Sequence, residues 1–124
     1  MTGLSFSAAA NTTYVVEVIG AFTSAATTTG IALALDIPSG SVIGQAIANL
    51  STGTLGGTEQ IADNATTGAT AGVRAANTNV PITARFVVAV GATGGTVQLQ
   101  FRSEVAASAV TMKAALTAMG RRVI

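Results

Sequence analysis

The chain has 124 residues, six basic against five acidic side chains, and neither cysteine nor histidine. That length supports one core and not two, so residues 1–124 are expected to form a single domain. The missing residue types exclude disulfides, thiolate chemistry and cysteine-ligated zinc, and remove the usual general base near neutral pH.

Charged residues make up 9% of the chain against about 25% in an ordinary soluble domain, and a surface that poor in charge is expected to be covered in part by other subunits. With a net charge of +1 and one basic pair, Arg121-Arg122, the chain lacks the clustered cations that a phosphate backbone requires. No nucleic-acid partner is expected. Residues 1–7 carry neither a basic region nor a long apolar stretch, so no secretory leader is read there. Each apolar window is interrupted, at Glu17 or at Asp36, Pro38 and Gly40, so no membrane-spanning helix and no membrane partner are expected.

In chain order, the first strong element is 13–22, which is β-branched and apolar on both faces. Tyr14, Val16, Val18 and Phe22 share one face; Val15, Ile19 and Ala21 share the other. A strand apolar on both sides is central or covered by a neighbouring subunit, and the second explanation suits a single sandwich better. Val15, Glu17, Ile19 and Ala21 are therefore the candidate oligomer interface. Residues 31–37 alternate with Ile31, Leu33, Leu35 and Ile37 on one face, and Pro38-Ser39-Gly40 ends that strand.

Residues 42–50 read as a strand, although Ile43, Ile47 and Leu50 also fit a helical spacing. The stretch 51–71 offers weak strands at most, near Leu55 and over 59–62, and 71–75 reads as another short strand. Residues 82–90 and 96–103 alternate cleanly, with Phe86, Val88, Leu99 and Phe101 inward and Gln98 and Gln100 outward. The glycine-rich loop 91–95 between them predicts an antiparallel hairpin. Over 105–123 both periods fit: Val105, Ala109, Met112, Leu116 and Met119 follow a helix, while 109–114 also alternates. The core is expected to comprise Leu4, Phe6, Tyr14, Val16, Val18, Ile31, Leu33, Leu35, Phe86, Val88, Leu99 and Phe101.

Candidate chemistry is sparse. Glu17 in an apolar strand is either a site carboxylate or, more simply, the partner of Arg85, of Arg102 or of a cation across an interface, since an unpaired buried carboxylate is too costly to keep. Ser103 and Glu104 are adjacent in a strand and point to opposite faces, so they cannot act as nucleophile and base. Asp36, Glu59, Asp63 and Glu104 show no acid/base pairing by spacing, and one tyrosine with no tryptophan leaves no platform for sugars. The glycines at 53–57 and 91–95 lack the lysine and the βαβ setting of a phosphate cradle. Asp63-Asn64 is a poor start for a calcium loop. No catalytic, cofactor-binding or metal-ligating residue is assigned, and no enzyme activity or small-molecule substrate is expected.

Several phrases resemble a group of tailed-phage virion domains. They are Leu4-Ser5-Phe6, then Ala10-Asn11-Thr12-Thr13-Tyr14, then residues 24–30 from Ser24 to Gly30, then Ala75-Ala76-Asn77-Thr78, and finally residues 101–111 from Phe101 to Thr111. The resemblance implies an all-β fold: an antiparallel β-sandwich, a jelly roll of the C1q/tumour-necrosis-factor type, assembled as a homotrimer. It also implies a terminal strand, against the helical propensity of 105–123. Domains of this group serve as capsid decoration (cement) proteins, which stabilise the shell by contacting the major capsid protein on the virion surface. Others form the tips of fibres or tailspikes that bind host-surface glycan. The bland Ala/Thr/Gly loops favour decoration over glycan binding.

Overall fold

The computed structural model describes residues 4–49, 55–60, 63, 65 and 72–124. Among the described residues, nine strands lie in two antiparallel sheets that pack face to face: an antiparallel β-sandwich, as the alternating segments predict. The strands are β1 (Ser5–Ala8), β2 (Thr13–Ser24), β3 (Ile31–Asp36), β4 (Gly40–Asn49), β5 (Leu55–Gln60), β6 (Val80–Val90), β7 (Gly95–Ser103), β8 (Val110–Met112) and β9 (Ala118–Val123). The smaller sheet has the order β1-β7-β3; the larger has β5-β4-β6-β2, with β8 and β9 both pairing with the far side of β2.

Period-two alternation decides what each strand buries. β6 alternates without a fault, burying Val80, Ile82, Ala84, Phe86, Val88 and Val90. Opposite it, β7 buries Val97 and Leu99 and β3 buries Ile31, Leu33 and Leu35. Of the predicted core, all are buried except Phe101, which is half-buried and packs against the cluster from the rim. Phe22, outside the predicted core, is fully buried on the inner face of β2. On the inner face of β4, Gly44 lies beneath the Phe86 ring, where a Cβ would stand 2.1 Å from a ring carbon. That close approach requires glycine.

Two expectations are corrected. Segments 82–90 and 96–103 do not form a hairpin: β6 pairs with β4 and β2, whereas β7 pairs with β1 and β3. The loop between them crosses from one sheet to the other, where the Gly91 N–H donates to the Ser39 carbonyl and the Gly91 carbonyl accepts from the Asn11 N–H. Sheets stack about 10 Å apart, a gap that a few extended residues span. Nor do 72–75 form a strand (Ala71 lies outside the described residues). Gly72 has φ +129°, the Val73 N–H donates to the Thr27 carbonyl, and Asn77 has φ 55°, so this stretch is a folded loop.

The ambiguous elements resolve as strands. Residues 40–49 are β4, and 55–60 form the weak strand foreseen near Leu55, with 51–54 and 61–62 outside the described residues. The C-terminal run is a discontinuous edge strand: β8 pairs with β2 at 22–24 and β9 at 14–19. A single 3-10 turn at Ala114–Leu116 interrupts it. The Thr117 side chain tucks against Gly20 at this break, where a Cβ would lie 2.7 Å from the hydroxyl oxygen. The open edge of β2 supplies the hydrogen bonds, and those outweigh the helix propensity of Ala, Met, Lys and Leu.

Candidate functional site

The carboxylates and hydroxyls fall mostly into local structural roles. Asp63 Oδ1 accepts from the Ile37 N–H at 2.9 Å, capping the backbone where β3 ends. Glu104 Oε2 accepts from the Gly30 N–H at 3.0 Å, pinning the loop that enters β3. Ser103 donates to the Val105 carbonyl, an ordinary turn contact. Among the described residues, no three Asp or Glu side chains gather where they could hold a metal ion.

Glu17 is placed by β2 on the outer face of the larger sheet, opposite Arg85 of β6. Its Oε1 lies 3.4 Å from an Arg85 guanidinium nitrogen, with half of the carboxylate side chain and most of the arginine in solvent. A pair that exposed contributes at most about 1 kcal/mol. Arg102, the other candidate partner, lies on the opposite sheet, in register with Ala32.

Around that pair the strand registers build an ordered surface. One row runs across the sheet as Ile43, Val87, Val15 and Arg122; the next as Gln45, Arg85, Glu17 and Gly120; the third as Ile47, Thr83, Ile19 and Ala118. Two rows, aliphatic but for Arg122 and Thr83, thus flank one polar row. Ile19 is 67% exposed, Ile43 61%, Val87 40% and Ile47 37%. Glu17, Ile19, Gln45, Ile47, Thr83 and Arg85 line a shallow depression across the face. A second notch lies beside Gly120, bounded by Val15, Glu17 and Arg122; a Cβ added at Gly120 would meet nothing within 4 Å.

Of the four predicted interface residues, Glu17 and Ile19 stand out on this face, and Val15 is half-buried between its neighbours. Ala21 is on the same face yet only 9% exposed, already covered within the chain. Ile43, Ile47, Val87 and Gly120 were missed. The signal for two of them is in β4, whose pattern is inverted: the large Ile43 and Ile47 point outward while Val42, Gly44, Ala46 and Ala48 point in.

The neighbouring sheet edge is guarded. Arg121 points inward from β9 and places its guanidinium 4.8 Å from the centre of the Phe6 ring. Phe6 in turn packs on Tyr14 with ring centres 5.3 Å apart, and the Tyr14 hydroxyl accepts from the Ala9 N–H at 3.0 Å. An inward-pointing charge on an edge strand opposes the addition of a further strand there. At the β9 edge, then, Arg121 disfavours extension of the sheet.

No protein-family model, curated protein or solved structure matches this chain.

Proposed function

We propose that this protein is a non-enzymatic structural subunit that works in a homo-oligomer, of the kind that decorates the capsid of a tailed phage and clamps neighbouring major capsid subunits. The observation that carries the assembly role is the outer face of the larger sheet, where Ile19, Ile43, Ile47 and Val87 stand in solvent around a neutral Glu17–Arg85 pair. Covering such a face contributes about 25 cal/mol for each Å² of apolar surface removed from water. The non-catalytic role is supported by a chain without histidine or cysteine, in which Asp63 and Glu104 are engaged with backbone N–H groups. The virion setting rests on the resemblance of residues 4–6, 10–14, 24–30, 75–78 and 101–111 to tailed-phage virion domains.

A clamp acts by adding contacts to a shell already built, and weak contacts repeated at many equivalent positions sum through avidity. The test compares particles with and without this protein. Particles lacking it are expected to assemble and then to break at lower temperature than complete ones. If they resist heating equally well but no longer attach to cells, the protein is a receptor-binding tip instead.

A further inference from the structure

We infer that the outer face of the larger sheet docks a second copy of this chain about a two-fold axis running along the boundary between β2 and β6. The inference deepens the assembly reading above and rests on it. It also replaces the three-fold arrangement implied by the resemblance. A three-fold ring needs two different patches per subunit, whereas a two-fold contact needs one patch that matches itself.

The rows described above supply that match. A two-fold axis in the plane of contact, parallel to the strands between β2 and β6, lays β2 of one copy over β6 of the other and β4 over β9. Glu17 then faces Arg85 of the second copy and Arg85 faces its Glu17, so the two surface pairs become one ring of four alternating charges. Val15 faces Val87, and Ile19 faces Thr83. Gln45 enters the open notch at Gly120, Ile47 meets the small Ala118, and Ile43 lies along the stem of Arg122.

Other axes fail on charge. Turning the copy about the polar row itself stacks Glu17 on Glu17 and Arg85 on Arg85, which is repulsive. Moving the axis to the β4/β6 boundary sets Arg85 against Gln45, and moving it to the β2/β9 boundary sets Glu17 against Gly120, leaving charges covered but unmatched. Only the β2/β6 boundary pairs every charge of the polar row.

The size of the face agrees. With strands about 4.8 Å apart, β4, β6 and β2 each offering about nine residues and β9 its six, the patch is on the order of 500 Å² per copy. The pair buries about 1,000 Å², the lower limit for a specific interface, so a micromolar equilibrium is expected and not a permanent dimer. A lipid surface fits the face less well, because interfacial binding favours bulky aromatics and a strongly basic rim, and these three rows hold no aromatic side chain and only Arg85 and Arg122 against Glu17.

The test is sedimentation equilibrium on the full chain from about 1 to 200 µM, a range that brackets the affinity of a minimal interface. The wild type is expected to fit a monomer–dimer equilibrium. Gly120→Leu, which has open space in the folded chain, is expected to weaken that dimer at least tenfold with an unchanged melting curve. Glu17→Arg and Arg85→Glu are each expected to be monomeric, because each puts four like charges in the ring. Mixed together, they are expected to form a one-to-one heterodimer.

A wild-type trimer that is lost on Ile19→Lys but indifferent to Gly120→Leu overturns the two-fold and leaves the assembly reading standing. A wild type that stays monomeric throughout overturns the pairing, and the particle comparison then decides the decoration role by itself. Failure of the two charge variants to associate on mixing overturns the axis.

Discussion

The outer faces of the two sheets obey the same strand geometry and differ in chemistry. On the smaller sheet, β1 and β7 turn Ser5, Ser7, Thr96, Gln98, Gln100 and Arg102 to solvent, the usual complement to a buried inner face. On the larger sheet the outward positions include Ile19, Ile43, Ile47 and Val87 on either side of the Gln45, Arg85 and Glu17 row. Folding needs only one apolar face per sheet, so the second apolar face of the larger sheet is surplus to the fold. On the assembly reading proposed above, a second copy of the chain covers that surplus.

The largest effect should come from the core that both sheets share. Phe86 is 1% exposed and rests on Gly44, so Phe86→Ala is expected to cost about 3–5 kcal/mol, a large part of a small domain's stability. Denaturant titration should show both faces lost in one transition. Phe101 is half-buried at the rim, and Phe101→Ala should cost clearly less. Equal losses would mean that the two sheets are not packed around Phe86 as described. Gly44→Ala is the next largest: its methyl would collide with the Phe86 ring, and overpacking of this kind costs about 1–3 kcal/mol.

The contrast between faces was partly legible in the sequence. Alternation gave the inward set of β3, β6 and β7, because period two is a local property of each strand. It could not say which strands pair. β6 and β7 would show the same pattern as a hairpin and as neighbours in facing sheets, and Gly91 to Gly95 would serve either connection. The helical stripe at 105–123 failed for a related reason. Met112 is buried against β2, but Val105 and Leu116 are exposed, so those residues never share one face. Of the surplus face, Val15, Glu17 and Ile19 were readable within β2. Ile43 and Val87 became their neighbours only through the long-range pairing of β4 with β6 and of β6 with β2.

Ile19→Lys tests the surplus face with little effect on the fold. Ile19 is 67% exposed in the single chain, so the substitution buries nothing unless a partner covers it. Its melting temperature as a dilute monomer should move by no more than about 0.5 kcal/mol equivalent, the usual range for surface changes. Association at high concentration should be abolished, since docking would then bury an unpaired ammonium. Gln98→Lys on the smaller sheet should leave both association and melting unchanged. If Gln98→Lys disrupts association as strongly as Ile19→Lys, the two faces are not distinct in function.

The smallest expected effect gives the sharpest reading of the polar face. Gln98 and Gln100 lie on the exposed face of β7, opposite Ser5 or beside Ala34 and Asp36 across the strands. Their amides are met by water in the folded and unfolded chain alike, so removing them forfeits neither burial nor a protected hydrogen bond. The double variant Gln98→Ala, Gln100→Ala should therefore stay within about 0.5 kcal/mol of the wild type in denaturant titration. It should also remain soluble, because two methyl groups do not make an apolar patch of the size that drives association. A loss above about 2 kcal/mol would place these side chains against a buried surface. The smaller sheet would then also be a covered face, and the difference between the two sheets would no longer single out the larger one.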